Sequence, residues 1–313
     1  MSWTPARLPD LAKRVAVVTG SNSGIGYYTA WHLARHGARV VLAVRSAAAG
    51  RAAADRIRSS DPQADVDVAE LDLAAMESVR TFGERWEGPL DLLVNNAGVM
   101  APPRRATTRD GFERQFGTNH LGHFVLTGLL LDSLAAAESG GRVVTVCSTA
   151  HHGGSSAVVE ANAAGPYKAQ QAYANSKLAN LLFAAQLHRE LTARQVPVTA
   201  TAAHPGLSAT GLISDREGMG TNIMMRTIAP AVMRAFAQSA DAGARAVLYA
   251  ATEAAPGSYT GPQLFEESRG PIGPARWSEC ARDEKLALQL WRVSEELTGF
   301  RYRWPEAACS YDH

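Results

Sequence analysis

An apolar run at residues 15–19 leads straight into Gly20-Ser21-Asn22-Ser23-Gly24-Ile25-Gly26, and a helix-forming stretch to residue 36 follows. A strand, a glycine turn and a helix in that order leave few folds open. Gly20 permits a tight turn. Gly24 and Gly26 let the backbone approach a pyrophosphate and let the helix pack on the strand. The helix start offers free N–H groups and the positive end of a dipole to such an anion. The flanking strand and helix separate this segment from a bare glycine-rich turn.

The alternation continues along the chain. Apolar runs at residues 39–44, 66–71, 91–95, 142–147 and 198–203 read as strands, and residues 47–59, 73–86, 110–136 and 171–195 as helices. Strands alternating with helices predict βαβ units, and strands lacking polar alternation predict a sheet covered on both faces. Right-handed crossovers then give a doubly wound parallel sheet, the three-layer α/β Rossmann fold. Past residue 203 the pattern loosens. Residues 205–222 read as loop or short helices, 223–236 and 239–253 as helices, and 263–266 as a last strand. A terminal helix over 279–298 is started by Ser278 and stopped by Gly299. No linker, low-complexity tract or repeat divides the 313 residues, so one domain over 1–313 is expected.

With 46% hydrophobic and 19% charged residues the composition is that of a soluble globular protein. The 31 basic and 30 acidic residues leave a formal charge of +1, which gives no footprint for nucleic acid. Arg104, Arg105 and Arg109 read as a solvated loop. Cys147, Cys280 and Cys309 fit neither a metal spacing nor a disulfide framework, so a reducing compartment is expected. No segment resembles a signal peptide or approaches the roughly 20 apolar residues of a membrane span. The expectation is a cytoplasmic protein with no membrane span. His120, His123, His151 and His152 show no metal spacing with carboxylates or cysteines. They read as core or loop residues, with a catalytic role as the alternative; His204 reads as structural. No metal site is expected.

Tyr173 and Lys177 stand four residues apart inside the helix predicted at 171–195, so they share one face. A neighbouring ammonium favours the phenolate and is expected to lower the tyrosine pKa, making Tyr173 a candidate acid/base.

Several segments resemble, in chain order, the short-chain dehydrogenase/reductase family. Thr19-Gly20 through Gly26 is similar to its T-G-x-x-x-G-I-G motif, Asn95-Asn96-Ala97-Gly98 to its N-N-A-G, and Asn119 to its active-site asparagine. Ser148 is similar to its active-site serine, with Cys147 in place of the preceding serine. Tyr173 and Lys177 match Y-x-x-x-K, and Pro205-Gly206 the P-G after the sixth strand. The resemblance runs from about residue 13 to the C-terminus and implies hydride transfer between a nicotinamide and a carbonyl carbon. It implies that Tyr173 gives the proton, Ser148 positions the carbonyl, and Lys177 holds the nicotinamide ribose and lowers the pKa of Tyr173. Asn119 is implied to support a water linking Lys177 to solvent. The cofactor is expected to touch Gly20, Ser21, Asn22, Ser23, Gly24, Ile25, Gly26, Asn96, Ala97, Gly98, Tyr173, Lys177, Pro205 and Gly206.

The second strand bears on which cofactor. Members using NAD close it with an acidic residue; here Val44 stands there, followed by Arg45. An arginine can clamp a 2′-phosphate by charge-assisted hydrogen bonds, so NADP(H) is expected over NAD(H). By resemblance Asp72, with Leu73 beside it, lines the adenine pocket; a strand-end cap is the alternative for Asp72. Thr210 is a further cofactor candidate, with Ser208 or a plain helix-cap role as alternatives.

Residues 118–124, 148–152 and 290–299 resemble the retinol dehydrogenase/WW-domain oxidoreductase branch, to which the light-dependent protochlorophyllide reductases are related. Like those branches, the chain has a long stretch, here 24 residues, between Ser148 and Tyr173. This insertion and residues 207–236 are expected to cover the substrate. Leu212, Ile213, Met219, Ile223, Met224 and Met225 suit a bulky hydrophobic ligand, with core packing as the alternative. The expected activity is an NADPH-dependent carbonyl reductase, or the reverse alcohol dehydrogenase, on a hydrophobic small molecule. Retinal, a lipid aldehyde, a steroid-like ketone and a polyketide-type ketone stay open. The rivals are a silent NADP-binding regulatory module and a carbon–carbon double-bond reductase. A homo-oligomer is possible through the helices carrying Asn119 and Tyr173, which the terminal helix could instead cover.

Overall fold

The computed structural model describes residues 3–163, 165–207 and 238–305. Among these, eight strands form one sheet: β1 Val15–Thr19, β2 Arg39–Val44, β3 Val66–Glu70, β4 Leu92–Asn95, β5 Gly141–Val146, β6 Val198–Ala203, β7 Tyr259–Leu264 and β8 Arg269–Pro274. Their order is β3-β2-β1-β4-β5-β6-β7-β8. Strands β1 to β7 pair in parallel and β8 pairs antiparallel with β7. The strand order reverses at β1, which lies between β2 and β4, so a crevice opens at the carboxyl ends of β1 and β4.

Helices α1 Gly24–Arg35, α2 Ala47–Ser60 and α3 Met76–Glu84 follow the first three strands. Between β4 and β5 come α4 Arg114–Phe116, α5 Gly122–Leu129 and α6 Leu131–Ala135. Helix α7 spans Ala169–Ala193 before β6, α8 spans Ala240–Thr252 before β7, and α9 Glu279–Arg282 and α10 Glu284–Thr298 close the described chain.

Successive strand residues point to opposite faces, and the core divides accordingly. Val17, Leu93 and Val143 pack with Phe124, Leu181 and Leu290 on one face. Val18, Val40 and Leu42 pack with Leu33, Ile57 and Val247 on the other. In α1 the buried residues Ile25, Thr29, Ala30, Leu33 and Ala34 recur at three-to-four spacing, which lays one stripe on the sheet. Burying each large apolar side chain in this way contributes about 1.5–3 kcal/mol.

Four elements differ from the sequence reading. The helix expected at 73–86 begins at Met76, because the Asp72 carboxylate accepts from Ala74 N at 3.0 Å and Asp110 accepts from Met76 N at 2.9 Å. The helix expected at 110–136 is broken into α4, a π turn over Gly117–Leu121, α5 and α6. The strand expected at 263–266 starts at Tyr259 and is followed by a further strand, β8. The terminal helix divides at Asp283, whose carboxylate accepts from Lys285 N and Leu286 N and caps a second helix. Gly299, at φ 61°, ends it.

Helix α10 and the segment after it lie over α5 and α7. Trp291 meets Phe124 at 5.0 Å and Tyr302 at 4.6 Å between ring centroids, and the Tyr302 hydroxyl donates to Phe124 O at 2.7 Å. The expected cover of residues 207–236 lies outside the described residues except Leu207, and so do Ser208, Thr210, Leu212, Ile213, Met219, Ile223, Met224 and Met225. No helix among the described residues is long and apolar enough to cross a membrane.

Candidate active site

Thr19 ends β1, and its hydroxyl oxygen accepts from the amides of both Asn96 and Ala97 at 2.9 Å. Asn96 Nδ2 donates to Thr19 O at 2.7 Å, so the segment after β4 is sewn to the glycine turn. The turn needs its glycines for distinct reasons. Gly20 has φ 65°, and a Cβ there would sit 2.9 Å from Ala97 Cα. A Cβ on Gly26 would meet Gly20 O at 2.6 Å. Ser21 is buried with its hydroxyl on Val18 O, and the Ile25 side chain packs into the core, which leaves its backbone for the site. Ser23 is the N-cap of α1, yet its side chain makes no capping hydrogen bond, and no acidic residue stands in the first turn. The first-turn amides therefore lack a side-chain acceptor, as an anion site requires. Arg56, which the sequence reading passed over, donates to Asn22 O at 3.0 Å and lies 4.4 Å over the Tyr27 ring.

The other wall is built by β5 and α7. Ser148, just past β5, is the N-cap of a 3-10 turn over Thr149–Gly153 and accepts from Ala150 N at 3.2 Å. Its hydroxyl faces the Tyr173 phenol and favours the phenolate. Lys177 is 4% exposed; its Nζ donates to Val146 O at 3.2 Å and stands 5.9 Å from the Tyr173 ring centroid. Asn119, in the π turn, donates from Nδ2 to Val99 O and to Ser176 Oγ, and accepts from Val99 N at 2.7 Å. A Cβ on Gly98 would lie 3.1 Å from Asn119 Oδ1 and 3.6 Å from Lys177 Nζ. The N-N-A-G segment, Asn119 and Lys177 thus meet at one point.

The electrostatics depart from the sequence reading. Burial pushes the Tyr173 phenol up to about 12, against the opposing effect of Ser148. The lowering expected from Lys177 is not among the effects on the phenol. Burial takes Lys177 itself down to about 8, which weakens the cation. Desolvation disfavours a charge on either group.

The remaining candidates lie along the same edge of the sheet. Arg45 is exposed directly after β2, and Gly20 N donates to Ala43 O in that strand. Asp72 holds a turn after β3 through Ala74, and Leu73 is buried with its carbonyl beside Gly122. Pro205 and Gly206 follow β6, with Gly206 at φ 68°. The insertion after Ser148 is packed in place: Val158 is fully buried, and Asn162 accepts from Glu113 N and, through its carbonyl, from Arg105. Burial lowers His120 to about 3 and His123 and His151 to about 4, so these rings are neutral at physiological pH. Among the described residues no group of three or more His, Cys, Asp or Glu could hold a metal. A separate groove of about 790 Å³, lined by Ser78, Phe82, Trp86 and Arg109 among others, contains none of the motif residues.

The family model described as short chain dehydrogenase matches residues 14–219. The chain belongs to the short-chain dehydrogenase family. It is 40% identical over 304 residues to the polyprenol dehydrogenase of Mus musculus, covering 95% of this chain and 87% of that protein. It is 38% identical over 300 residues to retinol dehydrogenase 12 of the same species, covering 92% and 87%. A crystal structure of an uncharacterised protein from Mycobacterium paratuberculosis shares 42% identity at a TM-score of 0.80, covering 97% of this chain and all of that one. This short-chain dehydrogenase is thus of the retinol dehydrogenase-like branch, an NAD(P)-dependent oxidoreductase acting on CH–OH and C=O groups. A gluconate 5-dehydrogenase from Beutenbergia cavernae, described with bound NADP, is 25% identical at a TM-score of 0.60, covering 80% of this chain and 95% of that one. The first turn of α1, whose amides no side chain caps, and the close-packed Gly20 and Gly26 fit the pyrophosphate of such a dinucleotide.

Proposed function

We propose that this short-chain dehydrogenase is an NADPH-dependent reductase of aldehydes or ketones on hydrophobic small molecules, or works in the reverse direction on the alcohols. The observation that carries the reading is the convergence of Tyr173, buried Lys177 5.9 Å from its ring centroid, and Asn119 tied to Ser176 between them on α7. The bound nicotinamide supplies the hydride. As negative charge grows on the carbonyl oxygen, Tyr173 donates its proton there and Ser148 hydrogen-bonds the same oxygen. Lys177 stabilises the phenolate left behind and returns a proton to it along a path past Asn119. A phenol pushed up to about 12 is protonated at neutral pH, the form that reduction uses. The apolar alcohols named in polyprenol and retinol dehydrogenases support a hydrophobic substrate.

Lys177 gives the pH dependence its sign. Its ammonium is present below about 8 and is lost as pH rises through that value. Carbonyl reduction should therefore be level below pH 8 and decline above it, since the tyrosine stays protonated across this range. A rate that rises from pH 7 to 9 would contradict the assignment.

Arg45 is assigned the 2′-phosphate, and Asp72 the edge of the adenine pocket. Arg45→Ala is expected to cut the preference for NADPH over NADH by about 10- to 100-fold, the worth of charge-assisted hydrogen bonds of about 1.5–3 kcal/mol. Equal use of both cofactors by the unaltered protein would sink this part. The overall test is NADPH oxidation, followed by absorbance, across a panel of apolar aldehydes and ketones with product analysis. Tight NADPH binding without turnover would identify a silent module, and a saturated carbon–carbon bond in the product would identify a double-bond reductase.

A further inference from the structure

Thr19 and Asn119 belong to different walls of the site, and one buried side chain touches both. His123, the second residue of α5, is 1% exposed. Its Nδ1 lies 2.9 Å from the Asn119 carbonyl oxygen and its Nε2 lies 2.9 Å from Thr19 Oγ1. A carbonyl only accepts, so the ring proton is assigned to Nδ1. In the neutral ring Nε2 is then an acceptor, filled by the Thr19 hydroxyl proton. The competing acceptor for that proton, Val94 O, is farther away at 3.3 Å. Thr19 Oγ1 meanwhile receives the amides of Asn96 and Ala97. Donors and acceptors match along the whole line only with a neutral ring protonated at Nδ1. Burial, opposed by the Asn119 carbonyl, holds the ring pKa near 4 and so maintains that state.

The π turn explains why a side chain is used. Gly122 N reaches back five residues to Gly117 O, so the helix is locally widened where Asn119 sits. Asn119 in turn bonds Ser176, between Tyr173 and Lys177 on α7.

We propose that His123 is a positioning residue that ties the two walls together. Through Nδ1 it fixes the Asn119 backbone, and with it the side chain that bonds Ser176 and faces Gly98 beside Lys177. Through Nε2 and Thr19 it holds the Asn96–Ala97 wall of the cofactor site. The inference rests on the carbonyl-reductase reading given above.

Two substitutions separate the functions. His123→Asn keeps a donor near the Nδ1 position and loses Thr19; His123→Gln places an acceptor near the Nε2 position and loses the Asn119 donor. With kinetics referred to folded protein, His123→Asn should raise the KM for NADPH about 3- to 10-fold and leave kcat within about twofold. His123→Gln should lower kcat by about 3- to 10-fold and leave the KM for NADPH within about twofold. If both variants change kcat and KM alike, or change neither, the ring only fills space and the proposal fails. Imidazole 15N shifts of the unaltered protein read the tautomer without turnover. A proton on Nδ1 supports the proposal and a proton on Nε2 overturns it. Failure to reduce any carbonyl would overturn the functional reading alone, because the tautomer and the NADPH affinities would still be measured.

Discussion

Tyr173→Phe is expected to lower turnover by about 10²- to 10⁴-fold, the usual contribution of a positioned general acid, while NADPH binds as before. The substitution removes one oxygen. The ring is half-buried, and Phe keeps its packing against the Lys177 ammonium. What disappears is the proton donor facing Ser148. Lys177 cannot replace it: its Nζ is committed to Val146 O at 3.2 Å at the end of β5. NADPH affinity measured by fluorescence, beside kcat at saturating NADPH, separates chemistry from binding. Turnover within tenfold of the unaltered protein would remove Tyr173 from its role.

That the pair could be found at all reflects what four-residue spacing does on any helix. It fixes a shared face, whatever the fold around it. What spacing does not carry is burial, and burial decides the charge states here. The phenol goes up to about 12 and the lysine down to about 8, because each loses solvation on packing, Lys177 almost wholly. A reading based on Coulomb attraction alone has the opposite sign for the tyrosine.

The same contrast runs through the fold. Strands β1, β2, β5 and β6 were legible because each is an apolar run covered on both faces. Strand β8 was not: Arg269–Pro274 holds two glycines and two prolines, which hide a strand pattern. Among the described residues it pairs only with β7, at the end of the sheet, where a missing proline N–H costs little. Strand β7 contains Gly261 and Pro262, and its glycine is required because a Cβ there would lie within van der Waals overlap of the His204 ring. That reason belongs to the tertiary packing. The π turn around Asn119 escaped because the apolar periodicity continues through it. The histidine link of Asn119 escaped with it, since His123 looks in sequence like any core histidine.

Gly26→Ala should prove nearly as damaging as Tyr173→Phe, through binding instead of chemistry. A Cβ at this position would lie 2.6 Å from Gly20 O and 2.5 Å from Asn96 Nδ2. Neither neighbour can yield cheaply. Gly20 O is backbone in a turn whose φ of 65° and contact with Ala97 leave no slack. Asn96 Nδ2 is held by Thr19 O at 2.7 Å, and the Asn96 amide by the Thr19 hydroxyl. Overpacking of this kind costs typically about 1–3 kcal/mol. Here the strain falls on the backbone that must meet the pyrophosphate. Loss of NADPH affinity by at least about 30-fold is expected, near the energy of one backbone hydrogen bond to a charged group. The sheet should survive, because Val17 and Val18 are anchored in separate cores on its two faces. Circular dichroism would confirm the fold and a fluorescence titration would give the affinity. Near-normal NADPH affinity in the folded variant would show that the turn does not touch the cofactor, and the assignment of the glycine loop would fall with it.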